Sequence, residues 1–159
     1  MKKRVLPALL SGILLITSCG EKSEDIPASG IEPEHLPMHS WQLEKVTLQL
    51  PPAETESDVT ASVLSACEKD DLVRFPAGRA FQYADDGVSC NGLGKLVFRS
   101  LDGASWTYQE GDSTLQLVKG FNKQFFKTTS LSASSMHIWQ KTLDYLGQET
   151  HYHFYFRAQ

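Results

Sequence analysis

The chain has 159 residues, of which 41% are hydrophobic and 21% charged, a length that suits one domain. Its formal net charge of -4 excludes nucleic-acid binding through a basic surface. No apolar run of about 18 residues is present to cross a membrane as a helix. Eight Phe, five Tyr and three Trp supply the rings, and the first of them is Trp41. A core therefore belongs to residues 40–159.

The N-terminus reads as an address. Met1-Lys2-Lys3-Arg4 is a basic start, and Val5 to Ile16 is an apolar stretch too short to span a bilayer. Ile16-Thr17-Ser18-Cys19 follows, and it resembles a bacterial lipoprotein signal, with Ile where Leu is commoner. The resemblance implies cleavage before Cys19, residues 1–18 being the signal peptide, and lipidation of the Cys19 thiol. An ordinary secretory signal with an incidental cysteine is the alternative. Two or more acyl chains hold a protein on a membrane where one does not, at about 0.8 kcal/mol per buried methylene. Without residues 1–18 the chain holds 12 basic against 19 acidic residues, a net of -7. Such a surface is repelled by anionic lipid, so the anchor and not a basic patch must hold it to the membrane.

Residues 19–39 read as the attachment cysteine and a flexible tether. Three prolines, two glycines and five acids lie between residues 20 and 39. Twenty flexible residues reach about 25 Å root-mean-square. The acids just after Cys19 resemble the export signals of surface-exposed lipoproteins in Bacteroidota. An outer-membrane location follows, with the periplasmic face and the cell surface both open.

From residue 40 the punctuation is that of antiparallel sheet. Trp41–Leu50 shifts its apolar phase by one near Glu44-Lys45, which predicts a bulge. Ser57–Ala66 is the one expected helix, capped by Ser57 or Asp58. Strands are expected at Leu72–Phe75, Arg79–Ala84, Leu96–Arg99, Trp106–Gln109, Thr114–Val118, Gln124–Ser132, Met136–Leu143 and Thr150–Arg157. Asp102-Gly103 reads as a hairpin turn between two of them. In the last hairpin, Tyr145-Leu146-Gly147 fits a three-residue loop with glycine in the left-handed position. Met136, Ile138 and Gln140 then oppose Phe156, Phe154 and Tyr152, which makes one face nearly all apolar. Phe75 and Trp106 are expected to join those residues in the core, and His153 to lie on a tolerant outer face.

With Cys19 assigned to lipid, Cys67 and Cys90 remain in a chain exported to an oxidising compartment. An even remainder there reads as one disulfide, two free buried thiols being the alternative. The stretch Cys67-Glu68-Lys69-Asp70-Asp71-Leu72-Val73-Arg74-Phe75, with Gly78, Gly87 and Cys90, resembles the lipocalin-like lipoproteins of Bacteroidota. That family opens on a Trp strand, here Trp41-Gln42-Leu43, and carries a later Gly-x-x-Trp, here Gly103-Ala104-Ser105-Trp106. The match covers about residues 40–118 by motif and the rest by strand rhythm. His39-Ser40-Trp41 lacks the glycine that lipocalins proper carry before the first Trp. The resemblance implies an all-β fold. The fold so implied is an eight-stranded antiparallel up-and-down lipocalin-like barrel, expected at residues 40–159 with one short helix after the first strand, a lipid anchor and no catalytic residues.

No chemistry stands out. His137, His151 and His153 share the outer face of the last hairpin, and His-x-His is a metal-ligand spacing. Lys141 opposite His151 opposes a cation, so a solvated polar face is the reading and no metal ligand is assigned. Asp70-Asp71 and Asp85-Asp86 abut turns, and adjacent strand residues point to opposite faces, unlike a catalytic carboxylate pair. No nucleophile elbow, phosphate loop or zinc-protease motif occurs. The sequence supports a non-enzymatic protein without cofactor, held at a membrane by its anchor. Its barrel takes either a small apolar ligand, at residues the sequence does not identify, or a protein partner on a filled barrel. Sixteen rings favour a filled interior, and a cavity of several hundred Å³ would favour the ligand.

Overall fold

The computed structural model describes residues 30–159 apart from 54, 79, 86, 88, 89 and 91–95. Among these residues there are nine strands: β1 (Ser40–Gln49), β2 (Glu56–Asp58), β3 (Leu72–Arg74), β4 (Gln82–Ala84), β5 (Ser105–Gln109), β6 (Thr114–Lys119), β7 (Asn122–Leu131), β8 (Ser135–Leu143) and β9 (Glu149–Ala158). Two single-turn helices interrupt them, α1 (Thr60–Val63) and α2 (Val97–Ser100).

The ladders are antiparallel and run in the order β4-β3-β1-β9-β8-β7-β6-β5, with β2 as a side strand on β1. Read as a ring, that order is the meander of an eight-stranded up-and-down barrel, so the all-β, lipocalin-like architecture is present. The ring closes between β4 and β5 without a strand ladder. The Phe81 N–H donates to the Ala104 carbonyl at 2.8 Å, and the Gly103 N–H donates to the Phe81 carbonyl at 2.9 Å.

The expected local features of β1 and the last hairpin are in place. The β1–β9 register shifts between Leu43 and Lys45, which puts Trp41, Leu43 and Val46 all inward. Met136 opposes Phe156, Ile138 opposes Phe154, and Gln140 opposes Tyr152. Gly147 takes φ of 76°, and its N–H donates to the Asp144 carbonyl at 3.0 Å. A side chain at Gly147 would be strained in that backbone region.

Four expectations are corrected. Residues 96–99 are not a strand: Val97–Ser100 is helical, and Phe98 and Leu101, three apart, are both fully buried. Gly103, at φ of 79°, follows that helical turn instead of turning a hairpin. The helix expected over Ser57–Ala66 is shorter, because Glu56–Asp58 fold back as β2 on Thr47–Gln49. What remains is Thr60–Val63, where Asp58 Oδ1 accepts the Thr60 N–H at 2.9 Å. The fourth correction concerns the boundary at residue 40. Residues 30–39 belong to the folded unit, since Ile31 bridges Leu131, Pro33–Met38 form a 3₁₀ turn, and Leu36 is 1% exposed. The Trp41 indole donates to the Leu36 carbonyl at 3.2 Å, so this segment stoppers the base of the barrel. Cys19 and the first half of the expected tether lie outside the described residues.

Rings fill the lower half. Phe98 projects from α2 into the barrel, stacked on Phe126 with centroids 5.3 Å apart and edge-on to Phe154 and Phe156 at 5.1 and 5.5 Å. Phe75, Met136 and Ile138 are buried as expected. Trp106 is only partly buried: it packs edge-on against Phe75, and its indole donates to the Pro76 carbonyl at 3.2 Å. It stands at the rim because Ser105 and Trp106 open β5 beside the β4–β5 gap.

Candidate functional site

Above Phe98 the barrel is not filled. A cavity of about 380 Å³ opens between the helical turns and the β1, β7, β8 and β9 wall. Val46, Val63, Leu96, Val97 and Phe154 give it an apolar floor and side. Gln124, Gln140, Thr142 and Tyr152 give it hydrogen-bonding groups, and no charged side chain lines it among the described residues. The change from rings to amides follows strand position. Along β8 the inward residues run Met136, Ile138, Gln140, Thr142, so polarity rises toward the mouth. The volume falls within the range of small-molecule pockets, at the small end.

The wall is incomplete beside this cavity. The β7–β8 ladder runs from Leu131↔Met136 to Lys127↔Trp139 and stops. Above that point β7 stays with β6 as far as Asn122↔Lys119, and β8 stays with β9 as far as Leu143↔Glu149. Each strand follows its tight hairpin partner, and the two diverge. The Gln140 side-chain amide donates to Gln124 Oε1 across the split.

The cover of the cavity is held by polar groups from one short segment. Cys67 and Cys90 are joined, with Cα atoms 5.2 Å apart, which decides between disulfide and free thiols. Glu68, beside Cys67, is almost wholly buried and accepts the Leu96 N–H at 2.9 Å and the Ser65 N–H at 3.0 Å. It thereby fixes Leu96, a cavity residue, against the turn that follows α1. No role was expected for Glu68. The signal available was Ser65-x-x-Glu68, a capping box, which the 3₁₀ turn at Ala66–Glu68 forms in full.

The carboxylate pairs separate in the fold. Asp71 is buried and accepts the Tyr83 hydroxyl across the β3–β4 pair. Burial first, and the Asp71 hydrogen bond second, push the Tyr83 phenol well above its usual range. Asp70 lies against Gly87, where a Cβ would fall 2.3 Å from its carboxylate, so that approach requires glycine. Asp85 pairs with Arg99 at 3.2 Å, and Asp86 lies outside the described residues.

The histidines of the outer face also differ from expectation. His153 is 8% exposed, not solvated, because the side chains of His137, Trp139 and, from β2, Glu56 pack around it. Its Nδ1 lies 3.1 Å from His137 Nε2 and 3.6 Å from Glu56 Oε1, and His137 stacks on Tyr155 with centroids 4.1 Å apart. His153→Ala is therefore not a silent change. Among the described residues no group of three or more His, Cys, Asp or Glu is placed to hold a metal. Desolvation, then the neighbouring His153, lowers the His137 pKa. Desolvation also lowers that of His153, against an opposing pull from Glu56. Burial pushes the Glu56 carboxyl up, but hydrogen bonds from Thr47 and Tyr155 bring it below its usual value.

With both histidines lowered, the unfolded chain takes up protons first as pH falls through about 6.5. Their neutral pairing supports the fold above that pH and loses its contribution below it. Melting temperature should hold between pH 8 and 7 and decline from pH 7 to 5.5. The double change His137→Gln/His153→Gln should flatten that decline. An unaltered slope would show that other groups govern it.

No protein-family model matches the chain, and no curated protein matches it. Among solved structures, a deswapped triple mutant of bovine odorant-binding protein is similar. It is 16% identical over 76% of this chain and 72% of its own, with a TM-score of 0.34.

Proposed function

We propose that the chain is a non-enzymatic binding protein that holds a small, largely apolar ligand in the open half of its barrel. We propose further that it works at the cell envelope on a lipid anchor at Cys19. The observation that supports binding is the cavity of about 380 Å³ left above Phe98, apolar on one side and amide-lined on the other. The fully buried rings, Trp41, Phe75, Phe81, Phe98 and Phe126, crowd the lower half, and the upper half is left open. Apolar walls supply affinity through surface removed from water, and the amides orient a neutral polar group. The anchor rests on the sequence alone, on the basic start, the short apolar run and the small residues before Cys19.

Octan-1-ol, titrated calorimetrically into the protein, should bind with a 1:1 stoichiometry. Val97→Trp, which fills the cavity from its cover, should abolish the heat while the melting temperature stays near that of the parent. Cys19→Ser should shift the protein from membrane to soluble fraction and leave binding intact. Absence of octanol binding by the parent would overturn the ligand reading, and membrane retention of the Cys19 variant would overturn the anchor.

A second reading, docking on a protein partner, draws on the hairpin tips around the mouth. Phe121 is fully exposed, and Tyr145 and Leu146 are largely so. Exposed rings gathered at one end mark interaction surfaces when contiguous.

A further inference from the structure

The split in the wall lies between the cavity and a second hollow on the outer face of the barrel. That groove, of about 560 Å³, runs between the outward rows of β7 and β8. Lys123, Phe125 and Lys127 form one side, and Trp139, Lys141 and Leu143 form the other. Gln124, Gln140 and Thr142 line both the groove and the inner cavity. The two hollows therefore flank one stretch of wall, where the β7–β8 ladder has stopped and the Gln140–Gln124 hydrogen bond is the crosspiece.

The two hollows differ in charge. The inner one has no charged lining residue among those described, whereas the outer one has three lysines and no acid. Lys127 reaches away to Asp112 at 3.1 Å, and Lys141 pairs with Glu149. Lys123 is in no ion pair among the described residues. In a chain whose net charge is -4, the groove thus keeps one cation without an acid of its own, Lys123, beside two whose partners sit at its edges.

Building on the ligand reading above, we propose an anion subsite in the outer groove, reached through the β7–β8 split. The ligand class it selects is an amphipathic anion with one slender tail. The tail lies in the cavity against Phe154 and Val46, the neck passes Gln124 and Gln140, and the head meets Lys123 and Lys141 outside the wall. The uncharged cavity keeps the head from entering, because burying an unpaired anion there is costly. The lysine ammonium groups are donors on flexible stems and can close on a carboxylate or a phosphate head alike.

The test compares octanoate with octan-1-ol, which share a tail and differ in head charge. At low ionic strength octanoate should bind the full-length protein about tenfold more tightly, the worth of two partly exposed charge contacts. Decyl phosphate against decan-1-ol should show the same sign, and the larger ratio of the two pairs identifies the head. Lys123→Gln/Lys141→Gln should bring the octanoate-to-octanol ratio to about threefold or less, whereas Lys45→Gln, on another face, should leave it. Equal binding of acid and alcohol by the parent would overturn the subsite and keep the cavity reading. A preference for the acid that survives the double lysine change would also overturn it. If neither compound binds, both proposals fall.

Discussion

Phe98→Ala should destabilise the protein by about 3–5 kcal/mol, a large part of the 5–15 kcal/mol typical of a small domain. The ring meets Phe81, Phe126, Phe154 and Phe156, which come from three separated parts of the chain. Removing it opens a space that these partners cannot close, because each is fixed by its own strand or by the seam at Phe81. The loss should appear as a lower midpoint in urea with a similar slope. Phe121→Ala is the matched control. The same deletion at a fully exposed hairpin tip should change stability by no more than about 0.5 kcal/mol. A loss below 1 kcal/mol at Phe98 would mean that α2 does not lie inside the barrel, and the cavity above it would lose its floor.

The double change Cys67→Ser/Cys90→Ser should cost about 3 kcal/mol on the chain-entropy account of cross-links. The bridge spans 23 positions of sequence and ties the turn after α1 to the approach to α2. Both attachment points sit beside the cover of the cavity, with Glu68 next to one of them holding the Leu96 N–H. Loss of the bridge should therefore act locally as well as globally. Hydrogen exchange at Leu96 should quicken by more than at Ile138, whose amide lies in the middle of β8. Uniform quickening at both positions would assign the bridge a purely global role. An unchanged melting temperature under thiol reductant would show that the bond is not formed in the isolated protein.

Much of the barrel was legible because strands announce themselves over short distances. The bulge near Glu44-Lys45 is visible as a one-residue shift in the apolar phase, since a slip there moves side chains to the other face. The last hairpin was determined to the residue by its turn and by its buried row, because any other register mixes phenylalanine with histidine. The candidate site was less legible. Gln140 is placed on the inward face by the hairpin register, but Gln124 and Thr142 read as polar residues on ordinary strands, and nothing local marks the three as neighbours of one cavity. Phe98 read as a strand residue because Leu96 and Phe98 satisfy alternation, while its partner Leu101 at helical spacing was hidden by the Asp102-Gly103 turn signal.

By itself the sequence determined the all-β class, the meander from β5 to β9, the register of the last hairpin, and the pair of cysteines left to bridge. Those follow from side-chain period, turn chemistry and an even count. Tertiary structure alone decided that Leu36 closes the base, that Phe98 fills the lower half, and that Glu68 holds Leu96. It also decided that β7 and β8 part above Lys127 and Trp139. The reason is that each of these depends on elements that meet only once the sheet has curled. Burial of a ring or a carboxylate is set by what arrives opposite it. Where two strands each keep a tighter hairpin partner, their shared seam is what opens.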